Sequence, residues 1–556
     1  MKIAIISTYD NYGGASIATL RLHKGLRSLN RDFAMIVRYK NTNDPDIYAV
    51  FRKNMGMSIE EEIFKSMENL AYDQNRTDLS NTLLSLPYPG YDLSKTGVIR
   101  DADIINLHWT AHFQSVESIT SLLNLGKPVV WTLHDQNAFT GGCHYSAGCI
   151  KYREDCRDCP QLKDNCYQIP FHILNNKVKN WQHCRDNLVI VTPSRWLADC
   201  ARESKLFRGL RVETIPNSLE TEEFMPLEKK TARKELDLGH GQPGQVVLLF
   251  GAVTGNEKRK GFQHLVQALR YCLRDPGFKY LAKNGGVKIL TFGPSQGDLK
   301  ELDIEIQSIG YIDGNRKLAA LYSASDLFVL PSLEDNLPNT MLESMACGTP
   351  VVSFAVGGMP DLIQDGVTGG MAPCFDTGKL GQIILDLVFD ADKREQMGRN
   401  CRQVIEKNFK LQDQAANYIE LFNELTKVFG GPDPRRGWPE NNKKSAHSHL
   451  LTFSSSHLPS SPWLPEAKDT AKEIFLDEWA PLSMEGEGFF EIYRKASLNL
   501  LINWMGQKRK WQEQVKQGNK AVKLGVTIFK KTKKILKFVK NRVIGRGKSI
   551  DKKNLS

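Results

Sequence analysis

The run Leu330-Pro331-Ser332-Leu333-Glu334-Asp335-Asn336-Leu337-Pro338-Asn339-Thr340-Met341-Leu342-Glu343 concentrates chemically useful side chains. An apolar strand ends at Pro331, a polar loop holds carboxylates, and a helix is expected from Asn339 to about Gly348. Asp335 falls in the loop and Glu343 in the helix, eight positions apart. The backbone amides around Asn336 and Leu337, with the helix N-terminus, lie between them and suit a phosphate. The carboxylates suit neighbouring ribose or hexose hydroxyls, from which they accept strong hydrogen bonds.

Three further groups can do chemistry. His108 and His134 each end an apolar run, and Asp135 adjoins the second. A histidine there can bond a sugar hydroxyl or move a proton; the plainer reading is a strand-capping side chain. Asp10-Asn11-Tyr12-Gly13-Gly14 joins a first strand to a first helix. Two glycines let a ligand come close to the backbone at a helix N-terminus, although the dinucleotide spacing GxGxxG is absent. Cys143, Cys149, Cys156 and Cys159 fall close together, with His144 beside the first and Cys166 just after. Cys156-x2-Cys159 has zinc-knuckle spacing, so a structural zinc is one reading, and free thiols or a redox-sensitive pair are the others.

These groups need a scaffold that brings them together. The chain has 556 residues, 41% hydrophobic and 25% charged, which suits several globular domains. Strands are expected at 2–6, 33–37, 104–107, 129–133 and 188–191, and again at 246–250, 287–292, 326–330 and 351–354. Each is followed by a turn and a helical pattern, as in βα units of a parallel sheet. The reading is α/β, with two Rossmann-like domains facing a cleft: 1–215 with a cysteine-rich insertion at 143–166, then 216–395. Closing helices at 396–428, a linker at 429–465 and an extension at 466–556 complete the chain.

The extension ends in a basic tail. From Gly506 to Ser556 there are 17 Lys or Arg against Glu513 and Asp551, while the whole chain carries +11. The rest is therefore slightly acidic. Leu524, Ile528, Ile535, Phe538 and Val539 share a helical face ringed by lysines, which fits an anionic membrane surface better than nucleic acid. The opening residues do not read as a secretory signal, and no apolar run reaches membrane-spanning length. The expected place is the cytoplasm, with the tail at the inner face of the cell membrane.

The carboxylate run is similar to the Glu-x7-Glu signature of family-4 retaining glycosyltransferases, which have the GT-B fold. The resemblance covers about residues 1–428. It takes in the glycine loop, His134, the carboxylate run, Gly357-Gly358-Met359-Pro360-Asp361 and Asp365-Gly366-Val367-Thr368-Gly369. It is nearest to bacterial transferases that build exopolysaccharide or O-antigen. It implies a nucleoside-diphosphate-sugar donor and a glycan or lipid-linked glycan acceptor. By this resemblance, Glu343 holds the nucleotide ribose and Asp335 approaches the donor sugar. Lys260, in Arg259-Lys260-Gly261, neutralises the diphosphate, and Gly13 and Gly14 contact it through their amides. Gly310 and Tyr311 meet the base, and His134 sits beside the reacting centre. No metal is required for catalysis in such families.

This sequence departs from the family at three places. Asp335 and Asp361 stand where the family has Glu. Ala252 follows Gly251 where the family often has Arg, so Lys258 or Arg259 has to supply that charge. A non-catalytic nucleotide-sugar or glycan-binding scaffold at the membrane is the alternative reading. A nucleotide-sugar epimerase is a weaker one.

Overall fold

The computed structural model describes residues 1–52, 55–80, 82–163, 167–238, 242–251, 257–293, 299, 301–429, 473–476, 492, 495–497 and 499. Ala252, Cys166, the linker from 430 and the basic tail lie outside the described residues.

The first sheet contains β1 (Lys2–Tyr9), β2 (Asp32–Tyr39), β3 (Ile47–Arg52), β4 (Ile104–Leu107), β5 (Val129–Thr132), β6 (Leu188–Thr192) and β7 (Val212–Thr214). The second contains β8 (Val246–Gly251), β9 (Val287–Phe292), β10 (Glu305–Gly310), β11 (Leu327–Leu330), β12 (Val351–Phe354) and β13 (Gly369–Ala372). A last strand, β14 (Glu473–Leu476), joins the edge of the first sheet beside β3. The strand orders are β14-β3-β2-β1-β4-β5-β6-β7 and β10-β9-β8-β11-β12-β13. Each pairing is parallel, for instance β1 with β2 and β4, and β8 with β9 and β11.

Parallel sheets are covered on both faces, which is why their strands are apolar throughout. Ala4 and Ile6 enter one core while Ile3 and Ile5 enter the core on the opposite face. Leu248 and Phe250, against Val247 and Leu249, repeat that division in the second sheet. The strand expected from Asp326 begins instead at Leu327. Asp326 spends its carboxylate on the Val247 amide and on Lys229 and Arg233, so it anchors the strand rather than extending it.

The closing segment is two helices, Ala391–Asn408 and Leu411–Phe429. The second returns to the first domain. Its Tyr418 and Phe422 share a core with Ile3, Ile5 and Leu22, and the Tyr418 hydroxyl bonds Thr132 Oγ1 at 3.0 Å. Gly25 permits the crossing, because a Cβ there would stand 2.5 Å from the Leu411 carbonyl oxygen. The two chain passages between domains run side by side: Leu219 bridges Lys410, and Gln414 Nε2 donates to the Pro216 carbonyl at 2.8 Å.

Candidate active site

Both sheets present the carboxyl ends of their strands to the seam between the domains, where open α/β sheets bind ligands. After β11 the chain enters a buried loop, Ser332 to Pro338, and then the helix Asn339–Ala346. Gly357 and Gly358 press directly on that loop. A Cβ on Gly357, whose φ is +55°, would lie 1.7 Å from the Asp335 carbonyl oxygen. The Gly358 amide donates to the same carbonyl at 3.1 Å. The loop is therefore held from outside by backbone that tolerates no side chain.

Asp335 is the centre of a charged cluster. Its Oδ2 receives Lys260 Nζ at 2.6 Å and lies 3.2 Å from Arg259 Nη1. Its Oδ1 receives the Asn336 amide at 3.1 Å and the Tyr145 hydroxyl at 3.3 Å. Burial alone would raise its pKa, but Lys260 and Arg259 outweigh burial and hold the carboxyl at about 2. Burial and the neighbouring Arg259 lower the pKa of Lys260. Arg259 packs over the Tyr145 ring, 4.2 Å from its centroid, and donates to the Glu334 carbonyl. The structure thus brings Asp335, Lys260 and Arg259 together, and Tyr145 is an unforeseen member.

The cysteine-rich segment delivers that tyrosine. Ser146 Oγ and the Ala147 amide donate to the Glu334 carboxylate at 3.3 and 2.8 Å, while burial raises the pKa of Glu334. The segment thus reaches across to the carboxylate loop. Cys143, Cys149, Cys156 and Cys159 line one small cavity with Ser146, Tyr152 and Gln161. The Lys151 amide donates to Cys149 Sγ at 3.5 Å, and backbone amides of Gly141 and Gln161 bond the sulfurs of Cys156 and Cys159. Burial pushes the Cys156 thiol up to about 12. Among the described residues no three His, Cys, Asp or Glu form a group that could hold a metal ion, so the expected zinc ligands share a cavity without standing as an assembled site.

Glu343 is buried and doubly held. Arg21 Nη2, from the first helix (Gly14–Ser28), donates to its Oε1 at 2.8 Å, and the Tyr322 hydroxyl to its Oε2 at 3.2 Å. Arg21 Nε bonds Glu220 Oε2 at 2.8 Å. The glycine loop meets the same helix: Asn339 Nδ2 donates to the Gly14 carbonyl at 2.9 Å, and Gly13 has φ +81°. Asn336 links the domains twice, receiving Ser194 Oγ at 2.5 Å and donating to the His134 carbonyl at 3.0 Å. Leu337 belongs to the core of the second domain, and its carbonyl receives Asn217 Nδ2 at 3.2 Å.

The histidines form a chain whose tautomers follow from its far end. Asn106 Nδ2 donates to the Val130 carbonyl and Thr132 Oγ1, so Asn106 Oδ1 accepts from His108 Nε2 at 2.9 Å. His108 Nδ1 must then accept from His134 Nε2 at 3.0 Å, leaving His134 Nδ1 as a lone-pair nitrogen. Burial lowers His134 to about 4 and His108 well below its usual value. Both are neutral at pH 7. Asp135 bonds protein groups. It holds Trp109 Nε1 at 2.8 Å and His144 Nδ1 at 2.6 Å, and His144 Nε2 reaches Ser85 Oγ at 2.9 Å.

Gly310 ends β10 with φ +75°, and Tyr311 is 79% exposed. Arg21, Glu220, Tyr145 and Ser194 were not foreseen. Arg21 left one trace in the sequence, a guanidinium inside the apolar stripe of an amphipathic helix.

Residues 244–390 match the family described as glycosyl transferases group 1. That segment is similar to group 1 glycosyltransferase domains. The chain is 29% identical over 231 residues to the D-inositol 3-phosphate glycosyltransferase of Actinosynnema mirum, covering 38% of this chain and 53% of the relative. It is 24% identical over 214 residues to the N-acetyl-alpha-D-glucosaminyl L-malate synthase of Bacillus anthracis, covering 38% and 54%. The chain thus spans about half the length of the curated relatives it matches. In fold it is similar to the sucrose-phosphate synthase of Thermosynechococcus elongatus, with TM-score 0.51, 18% identity and coverage of 77% of this chain and all of that one. HepE of Anabaena, in a complex with UDP and glucose, gives TM-score 0.50 at 14% identity over 76% of this chain and 99% of that one. The architecture of residues 1–429 is GT-B.

Proposed function

We propose that this chain transfers a sugar, with retention, from a nucleoside-diphosphate sugar to a glycan or lipid-linked glycan acceptor in polysaccharide biosynthesis. The observation that carries this reading is the buried Asp335–Lys260–Arg259 cluster beside the Asn339–Ala346 helix, within the segment similar to group 1 domains. Departure of the sugar leaves a diphosphate whose charge grows in the transition state. Two fixed cations and a helix N-terminus beside it lower that barrier without reorganising. The Lys260 ammonium has three N–H donors and directs one at Asp335 here, so it retains donors for phosphate oxygens. Neutral His134 accepts a bond from a sugar hydroxyl and carries no charge to the centre. The UDP in the HepE complex supports a nucleotide donor for this fold.

Membrane contact through the basic tail is part of the same proposal, because a lipid-linked acceptor resides at that surface. The test is a screen of nucleotide sugars on the purified chain, reading nucleoside diphosphate release with and without membrane lipid extract. One donor should turn over, and Glu343→Ala should abolish the signal. Tight binding of a donor without release would replace the transferase by the scaffold reading.

A further inference from the structure

Four thiols, Cys143, Cys149, Cys156 and Cys159, line one cavity of about 20 Å³, room for a single small occupant. Each of the four sulfurs lies close enough to the other three for their charges to interact. A neutral thiol is a weak hydrogen-bond acceptor and behaves as a small apolar group, so it asks for little from its neighbours. The groups around these four sulfurs are donors and a cation instead.

Twice, the amide two residues after a cysteine points back at its sulfur: Lys151 to Cys149 at 3.5 Å, and Gln161 to Cys159. The Gly141 amide serves Cys156. Tyr72 is fully buried, its hydroxyl has no hydrogen-bond partner, and Cys143, Cys156 and Cys159 are among its neighbours. A Cβ on Gly142 would lie 3.0 Å from that hydroxyl, which sets it against the backbone entering Cys143. Lys177 is 4% exposed. Among the described residues its ammonium is held by the carbonyls of Asn137 at 2.6 Å and Thr140 at 3.0 Å, and by no carboxylate. Cys156 and Cys143 act on that charge more strongly than Asp135 does. A buried ammonium and an unmatched hydroxyl both call for negative charge beside them. Thiolates supply it, and a buried thiol becomes a thiolate when a metal ion takes the place of its proton.

We infer that Cys143, Cys149, Cys156 and Cys159 bind one zinc ion as a tetrahedral four-thiolate site, with Lys177, Tyr72 and the three amides as its outer partners. Binding forms four zinc–sulfur bonds and releases four thiol protons to solvent, leaving a net charge of about −2 that Lys177 partly offsets. No three of the sulfurs stand at metal-binding spacing in the structure. Rotation of χ1 between staggered wells carries a cysteine sulfur about 3 Å without moving the backbone, enough to close the set on an ion. Cys143 and Cys149 bracket Tyr145, Ser146 and Ala147, the residues that reach Asp335 and Glu334. The ion therefore ties both ends of the loop that touches the carboxylates, and its role is structural.

The test is the metal content of the full chain, measured by plasma mass spectrometry after purification without chelator or metal-affinity resin. The same chain is also produced in zinc-poor, cobalt-supplemented medium. Wild type should hold about one zinc per chain. The cobalt form should show intense thiolate-to-metal absorption in the near ultraviolet and the visible bands of tetrahedral cobalt. Cys156→Ser and Cys159→Ser should each lose the zinc and those bands, whereas Cys374→Ser, exposed and outside the cluster, should keep both. A wild type that neither holds zinc nor gives the cobalt bands overturns the inference. So does iron in place of zinc, or a full zinc content in the two cluster variants. The cobalt spectrum reports thiolate ligands in the wild type itself, so it decides the matter even if the serine variants do not fold.

Discussion

Asp335→Asn removes one charge from a cluster of three. With its pKa held at about 2, against about 3.9 for a free aspartate, the carboxylate contributes about 2–3 kcal/mol to stability at pH 7. The sign follows from the depressed value. The contribution is complete above the unfolded pKa and declines as pH falls through the folded one, so about half remains at pH 3. Because the amide leaves Lys260 buried without its counter-charge, while Arg259 keeps Glu257 at 2.7 Å, the measured loss should reach about 3 kcal/mol. Urea unfolding of wild type and Asp335→Asn, followed by tryptophan fluorescence at pH 7 and pH 3, checks this. The gap between them should be about 3 kcal/mol at pH 7 and clearly smaller at pH 3. A gap under about 1 kcal/mol at pH 7, or one equal at both pH values, refutes the claim that ion pairing holds this loop. In the same variant, sugar transfer should fall steeply, as the cations are left without their orienting partner.

Gly357→Ala should lower the melting temperature by several degrees and abolish transfer, since the added Cβ meets the Asp335 carbonyl at 1.7 Å; an active variant of wild-type stability would contradict the close approach. Phe422→Ala, far along the chain from the first strand, should destabilise by about 3–5 kcal/mol in chemical unfolding, because its fully buried ring fills the first domain's core. His134 stays neutral down to about pH 4 when folded but titrates near 6.5 when unfolded, so wild type should lose stability as pH falls from 6.5 towards 4. His134→Asn should lose less over that range, and parallel stability–pH curves would count against a buried neutral imidazole.

Much of this architecture was legible because apolar runs report burial on both faces of a sheet. The expected strands at Ile104–Leu107, Val287–Phe292 and Val351–Phe354 stand as read. Of the strands missed, β3 is an apolar run, Ile-Tyr-Ala-Val-Phe-Arg, and others have a weak apolar signal. β10 reads Glu-Ile-Gln-Ser-Ile-Gly and is half-exposed, and β13 opens with two glycines. Lys260, Arg259 and Asp335 were each singled out in the sequence, through a family resemblance, but not as one ion-paired cluster. Tyr145, Arg21 and Ser194 were not, since each becomes important only through a partner more than a hundred residues away.

The amino-acid sequence by itself determined two βα domains, the carboxylates flanking a helix N-terminus, and the glycines that let backbone press on backbone. Those features are local: they depend on periodicity, on turn chemistry and on the side chains present. The tertiary structure alone decided what each charge faces. It gave Asp335 two cations, so the carboxyl ionises near 2, and it buried His134, so the imidazole stays uncharged. It also returned the last helix to the first domain and set Arg21 against Glu343. The physical reason is that electrostatic energies and burial depend on distances across the fold, which sequence spacing does not encode.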